Sequence, residues 1–138
     1  MNCKYFQSYP KGFVKITGQV VKFECKGLNL IAHRNCFTNK SGWKSDAFVV
    51  THADTGFRVC SNDSDVRITR KGVIEEAKRL FDTKNEEEIK AALEMMETDL
   101  IHLIDRLFES GQILTVPFCL LKELRPGYVS DYQKAITI

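Results

Sequence analysis

Asp46-Ala-Phe-Val-Val-Thr-His52 reads as a strand, and Ala53-Asp-Thr-Gly56 as a tight turn behind it. Phe57-Arg-Val-Cys60 then returns as a second strand, so the three segments together predict a β-hairpin. Shortly after it, Thr69 precedes Val73, Ile74, Ala77, Leu80 and Phe81, an apolar stripe at helical spacing over 70–81. Thr69 is placed to cap that helix, because its hydroxyl can accept from an otherwise unpaired backbone N–H. A hairpin feeding a helix is the mark of an α+β domain.

The chain on the amino-terminal side of the hairpin continues the strand pattern. Phe13-Val-Lys-Ile16 alternates, and Val21, Phe23 and Cys25 alternate in the opposite phase beyond Thr17-Gly18. A phase slip at a glycine predicts a turn or bulge. Cys25-Lys-Gly-Leu28 predicts a second turn, and Asn39-Lys-Ser-Gly42 a third. Val66-Arg-Ile68 has room for one short extra strand. Short strands joined by local turns predict an antiparallel sheet of about four or five strands.

The carboxy-terminal side is helical. Thr83-Lys-Asn-Glu86 fits a capping box, and Ile89, Leu93, Met96, Leu100, Leu103, Ile104 and Leu107 then mark one face as far as Gly111. The expected architecture is a single α+β domain over 1–138, its sheet packed against the long 84–109 helix and the shorter 70–81 helix. The expected core joins Val14, Ile16, Val21, Phe23, Phe48, Val50 and Val59 to Leu80 and the long helix's apolar face. Pro117 and Pro126 are expected to limit regular structure near the end, with Tyr128–Ile138 read as an edge strand or docking tail.

Composition narrows the class. The 138 residues are 43% hydrophobic and 28% charged, which suits an ordinary globular chain able to bury a core. No apolar run approaches the roughly 20 residues of a membrane helix, and Met1–Ser8 lacks the apolar segment of a signal peptide. Five scattered cysteines predict reduced thiols, no disulfide and a cytoplasmic location. The net charge of +2 conceals an asymmetry. Residues 1–72 hold 12 Lys and Arg against 5 Asp and Glu, whereas 73–138 hold 8 against 13. Glu86, Glu87 and Glu88 fall where a helix dipole favours acids, but the basic excess has no such local cause. Lysines that block edge pairing explain part of it, and a surface for nucleic acid or an acidic protein explains the rest.

Candidate chemistry is sparse. Asp54-Thr-Gly56 matches the tripeptide of aspartic proteases, but its neighbours Ala53 and Phe57 do not fit, and a hairpin turn selects the same residues. Cys25, His33, Cys36, His52 and Cys60 contain only one pair at zinc-ligand spacing, His33 and Cys36, so no metal or other cofactor is expected. Cys36 or Cys60 with His52 could form a nucleophilic pair, although nothing in the sequence supplies an oxyanion donor or a third orienting group. His102 falls in the long helix beside its apolar face. Trp43 stands between Lys40 and Lys44 in an expected loop, a suitable contact for a base or a protein partner.

Phe48-Val-Val-Thr-His-Ala-Asp-Thr-Gly-Phe-Arg-Val59, followed by Thr69-Arg-Lys-Gly-Val-Ile-Glu-Glu-Ala77, resembles a pattern found in small phage and prophage accessory proteins. The resemblance spans about a quarter of the chain. It implies a mobile-element origin and brings no catalytic residues. The function expected is a non-enzymatic binding protein that inhibits a host defence or nucleic-acid-handling factor, a host protein or a protein–nucleic acid complex. Its contact surface would comprise Arg34, Lys40, Trp43, Lys44 and Arg58. The alternatives are direct nucleic-acid binding by the basic half, phosphate mimicry by Glu86, Glu87, Glu94, Glu97 and Asp105, and a small hydrolase with an unrecognised site. A sheet edge or the Pro117–Ile138 tail is the surface a homodimer would use.

Overall fold

A computed structural model describes residues 5–34, 48–61 and 69–137. Six strands come first: β1 Phe6–Tyr9, β2 Gly12–Lys15, β3 Val21–Cys25, β4 Leu28–Arg34, β5 Phe48–His52 and β6 Arg58–Ser61. The helices α1 Arg70–Asp82, α2 Glu86–Glu109, α3 Phe118–Leu124 and α4 Val129–Ile136 follow. The expected α+β fold is present. Strands β3-β4-β5-β6 form an antiparallel sheet in that order, and β1-β2 is a separate hairpin. The proposed Val66–Ile68 strand lies outside the described residues.

Turn chemistry sets the register. Cys25 pairs with Leu28, leaving Lys26 and Gly27 as a two-residue loop, both at positive φ (53° and 83°). That sign suits the right-handed twist of the flanking strands. Register then places Val21, Phe23, Cys25, Leu28, Leu30, Ala32, Phe48 and Val50 on one face of the sheet. This face packs on Val73, Ala77 and Phe81 of α1 and on Ile89 and Leu93 at the start of α2.

Beyond Leu93 the long helix leaves that core. Leu100, Leu103, Ile104 and Leu107 join Phe6 of β1 with Ile113, Val116, Leu120 and Leu121 in a second apolar cluster. The molecule therefore has two cores on one unbroken 24-residue helix. Strand β1 had no place in the sequence reading. Its signal was the aromatic run Tyr5-Phe6 and Tyr9 ahead of the turn formers Pro10-Lys-Gly12.

Four local expectations are corrected. The capping box is formed by Asn85 and Glu88, with Glu88 N donating to the Asn85 side chain at 2.8 Å and Asn85 N to the Glu88 carboxylate at 3.3 Å. Thr83 instead closes α1, donating its hydroxyl to Leu80 O at 2.9 Å. Leu80 is 38% exposed, because Val73, Ala77 and Phe81 already fill the buried stripe of α1. The tail is helical rather than an edge strand. Pro117 and Pro126 stand at the starts of helical segments, where a missing N–H costs nothing.

The C-terminal helices are held by a charged lock. Arg125 donates to both carboxylate oxygens of Asp105, at 2.8 and 2.9 Å, and the Tyr128 hydroxyl donates to the same group at 2.8 Å. Those Arg125 hydrogen bonds hold the Asp105 carboxyl below its ordinary range, against a smaller opposing effect of burial. Tyr128 also stacks on Phe108 at 4.0 Å between ring centroids. Cys119 of α3 is disulfide-bonded, which corrects the expectation of five free thiols.

Candidate functional site

The Ala53–Gly56 turn is not a free loop. Thr55 and Gly56 are buried, and Ser8 of β1 holds the turn twice, donating from its backbone N to Gly56 O (2.7 Å) and from its hydroxyl to Thr55 O (2.6 Å). Gly56 has φ 77°, and a Cβ there would approach Phe6 and Ser8 side-chain atoms at 2.6 Å. Only glycine meets both demands, positive φ and close approach. The turn is thus a seam between the small hairpin and the main sheet.

Two histidines lie buried in the four-stranded sheet, His33 on β4 and His52 at the end of β5. His33 directs Nδ1 at the Arg34 carbonyl (2.7 Å) and Nε2 at the Thr51 hydroxyl (2.7 Å). A carbonyl only accepts, so Nδ1 carries the proton and Nε2 accepts from Thr51. His52 places Nδ1 2.8 Å from the Thr55 hydroxyl, with the Met96 sulfur 3.8 Å from that same oxygen. Asp54 stands 4.0 Å from its Nε2. Burial pushes both imidazoles below the ordinary histidine range; the Arg34 carbonyl opposes this for His33, and Asp54 and Glu97 oppose it for His52.

These groups do not assemble a nucleophile. Burial pushes the Cys60 thiol up to about 11, far from the thiolate a nucleophile needs. Its sulfur faces the Val73 carbonyl at 3.8 Å. Cys36 lies outside the described residues. Among the described residues, no group of three or more His, Cys, Asp or Glu could hold a metal ion.

Of the expected contact residues, Lys40, Trp43 and Lys44 lie outside the described residues. Arg34 and Arg58 are separated by the sheet itself. Arg34 pairs in register with Phe48 and sits over its ring at 4.9 Å, whereas Arg58 pairs with Thr51 on the opposite face. Asp105, one of the acids expected to mimic phosphate, is consumed by Arg125 and Tyr128.

Arg58 instead belongs to a cleft of about 720 Å³ between β1, the start of β6 and α2. Asp99, His102, Leu103 and Arg106 recur at helical spacing and line its second wall. Gln7, Ser8 and Leu103 are buried in it, Phe57 is half-buried, and Tyr9 and Pro10 complete the rim. Arg106 is steadied by donating one Nη2 hydrogen bond to Pro10 O at 2.8 Å. The Arg58 side chain makes no hydrogen bond or ion pair among the described residues and is exposed. Sequence reasoning missed Asp99, His102 and Arg106 because they flank the apolar stripe, where polar residues usually mark the solvent boundary of a helix.

No family model, curated protein or solved structure matches the chain.

Proposed function

We propose that this chain is a non-enzymatic binding protein whose cleft, with Arg58 and Arg106 on facing walls, docks an anionic group of its target. The observation that carries this reading is the cleft's composition: two guanidiniums, one of them uncommitted, over a floor of buried polar side chains. Guanidiniums suit carboxylate and phosphate because their planar donors match two oxygens at once. The candidate reactive groups lie elsewhere, with His52 buried in its own turn and Cys60 held protonated. The likeness of the hairpin-plus-helix segment to phage accessory proteins extends the proposal to the target: a host factor that handles nucleic acid. The cytoplasmic placement inferred from unpaired cysteines loses part of its support at Cys119. Among the described residues no helix is long and apolar enough to cross a membrane.

Copurification of the full chain from an extract of its natural host tests the reading. The wild-type chain is expected to retain a nucleic-acid-handling factor, and Arg58→Glu to lose it. Retention lost instead on reversal of the exposed Glu94 and Glu97 would move the contact to α2. Turnover of a nucleotide or peptide by the purified chain would contradict the binding reading.

A further inference from the structure

We infer that the cleft between β1, β6 and α2 is a nucleotide site, taking a nucleoside phosphate with its phosphate between Arg58 and Arg106. The inference rests on the binding reading above and names the part of the target that the cleft holds. Three features of the site select this class over a bare anion. The volume of about 720 Å³ lies within the usual range for small-molecule pockets and far exceeds one phosphate group. Tyr9 and Phe57 add aromatic surface beside the two guanidiniums, and a base presents a flat π-face that stacks on such rings whatever its identity. The Asp99 side chain makes no hydrogen bond or ion pair among the described residues and, as a carboxylate, can only accept. Sugar hydroxyls and exocyclic amines are the donors it would take. Acidic side chains of a peptide offer carboxylates to the arginines but carry neither a donor for Asp99 nor a flat face for Tyr9 and Phe57.

The arginines differ in readiness. Arg106 is tied to Pro10 O through one nitrogen, so it is pre-positioned while keeping donors to spare. Arg58 extends from the start of β6, one residue beyond Phe57, so base stacking and phosphate contact come from neighbouring positions. The chemistry is common to a free nucleotide and to one unit of a single strand.

Fluorescence anisotropy of the full chain with a short labelled oligothymidylate tests the site, with AMP, inorganic phosphate and a polyglutamate peptide as competitors. Binding is expected to weaken with added salt and to fall at least about tenfold in Arg58→Glu, the range typical of losing one guanidinium contact. Arg34→Glu, on the other face of the sheet, is expected to leave it unchanged. The thermal melt of Arg58→Glu should match the wild type, since its exposed guanidinium supports no buried core. Competition by AMP assigns the site to a free nucleotide, and oligonucleotide binding without it to a single strand; both support the inference. Inorganic phosphate competing as well as AMP would overturn it, as would loss of binding in Arg34→Glu alone. Polyglutamate binding that depends on Arg58, with no nucleotide binding, would overturn the ligand class and leave the binding reading standing. No binding to any probe, with a host factor still retained through Arg58, would do the same.

Discussion

His33 and His52 are buried on opposite faces of the four-stranded sheet, and both hold hydroxyl partners. Each has its titration displaced downward in the fold, chiefly by burial. The unfolded chain therefore binds more protons than the folded one as pH falls below the unfolded value of about 6.5, and stability declines there. Urea unfolding midpoints should be flat from about pH 8 to pH 7 and drop between about pH 6.5 and pH 5. A midpoint that stays constant through that window would show that neither imidazole is buried neutral. Gly56 supplies a second, independent test. Gly56→Ala combines a positive φ with a clash against Phe6 and Ser8, so it should cost clearly more than about 1 kcal/mol. Gly18→Ala, with a similar φ of 87° in open space, carries only the backbone penalty. Equal chemical-denaturation losses for the two would mean that the seam between hairpin and sheet is looser than described.

The long helix α2 carries one apolar stripe in sequence but serves two cores in space. Leu100→Ala, at a side chain 1% exposed, should cost on the order of 2–5 kcal/mol, as cavity-forming substitutions do. Leu80→Ala on α1 should stay within about 0.5 kcal/mol, the usual scatter of surface positions. Denaturant titrations that rank the two the other way would overturn the assignment of faces. The elements themselves were legible because period and punctuation agree: Thr69 caps α1, and the Lys26-Gly27 pair closes β3 onto β4. What stayed hidden depends on contacts distant in sequence. Periodicity cannot say that the stripe of α2 divides after Leu93, since Phe6 and Leu121 are what claim its second half. Nor can proline content distinguish a broken tail from one whose prolines begin helical turns. The cleft was half legible: Arg58 stood out as part of a basic half, while its companions Asp99, His102 and Arg106 come from the acidic half.

Folding therefore rearranges the charge asymmetry of the chain. Glu86, Glu87 and Glu88 settle on the N-terminal turn of α2, Asp105 is locked by Arg125, and Arg106 faces the basic strand region across the cleft. The basic excess of residues 1–72 is thus extended by a guanidinium from the helical half, and Arg34 is left on the far side of the sheet. This cleft is where the protein is expected to meet its ligand. Backbone amide NMR of the full chain during titration with AMP and oligothymidylate measures that directly. Shift changes are expected to concentrate at Gln7–Tyr9, at Phe57 and Arg58, and from Asp99 to Arg106. Changes centred on Glu94 and Glu97, or around Arg34 with the cleft silent, would contradict it.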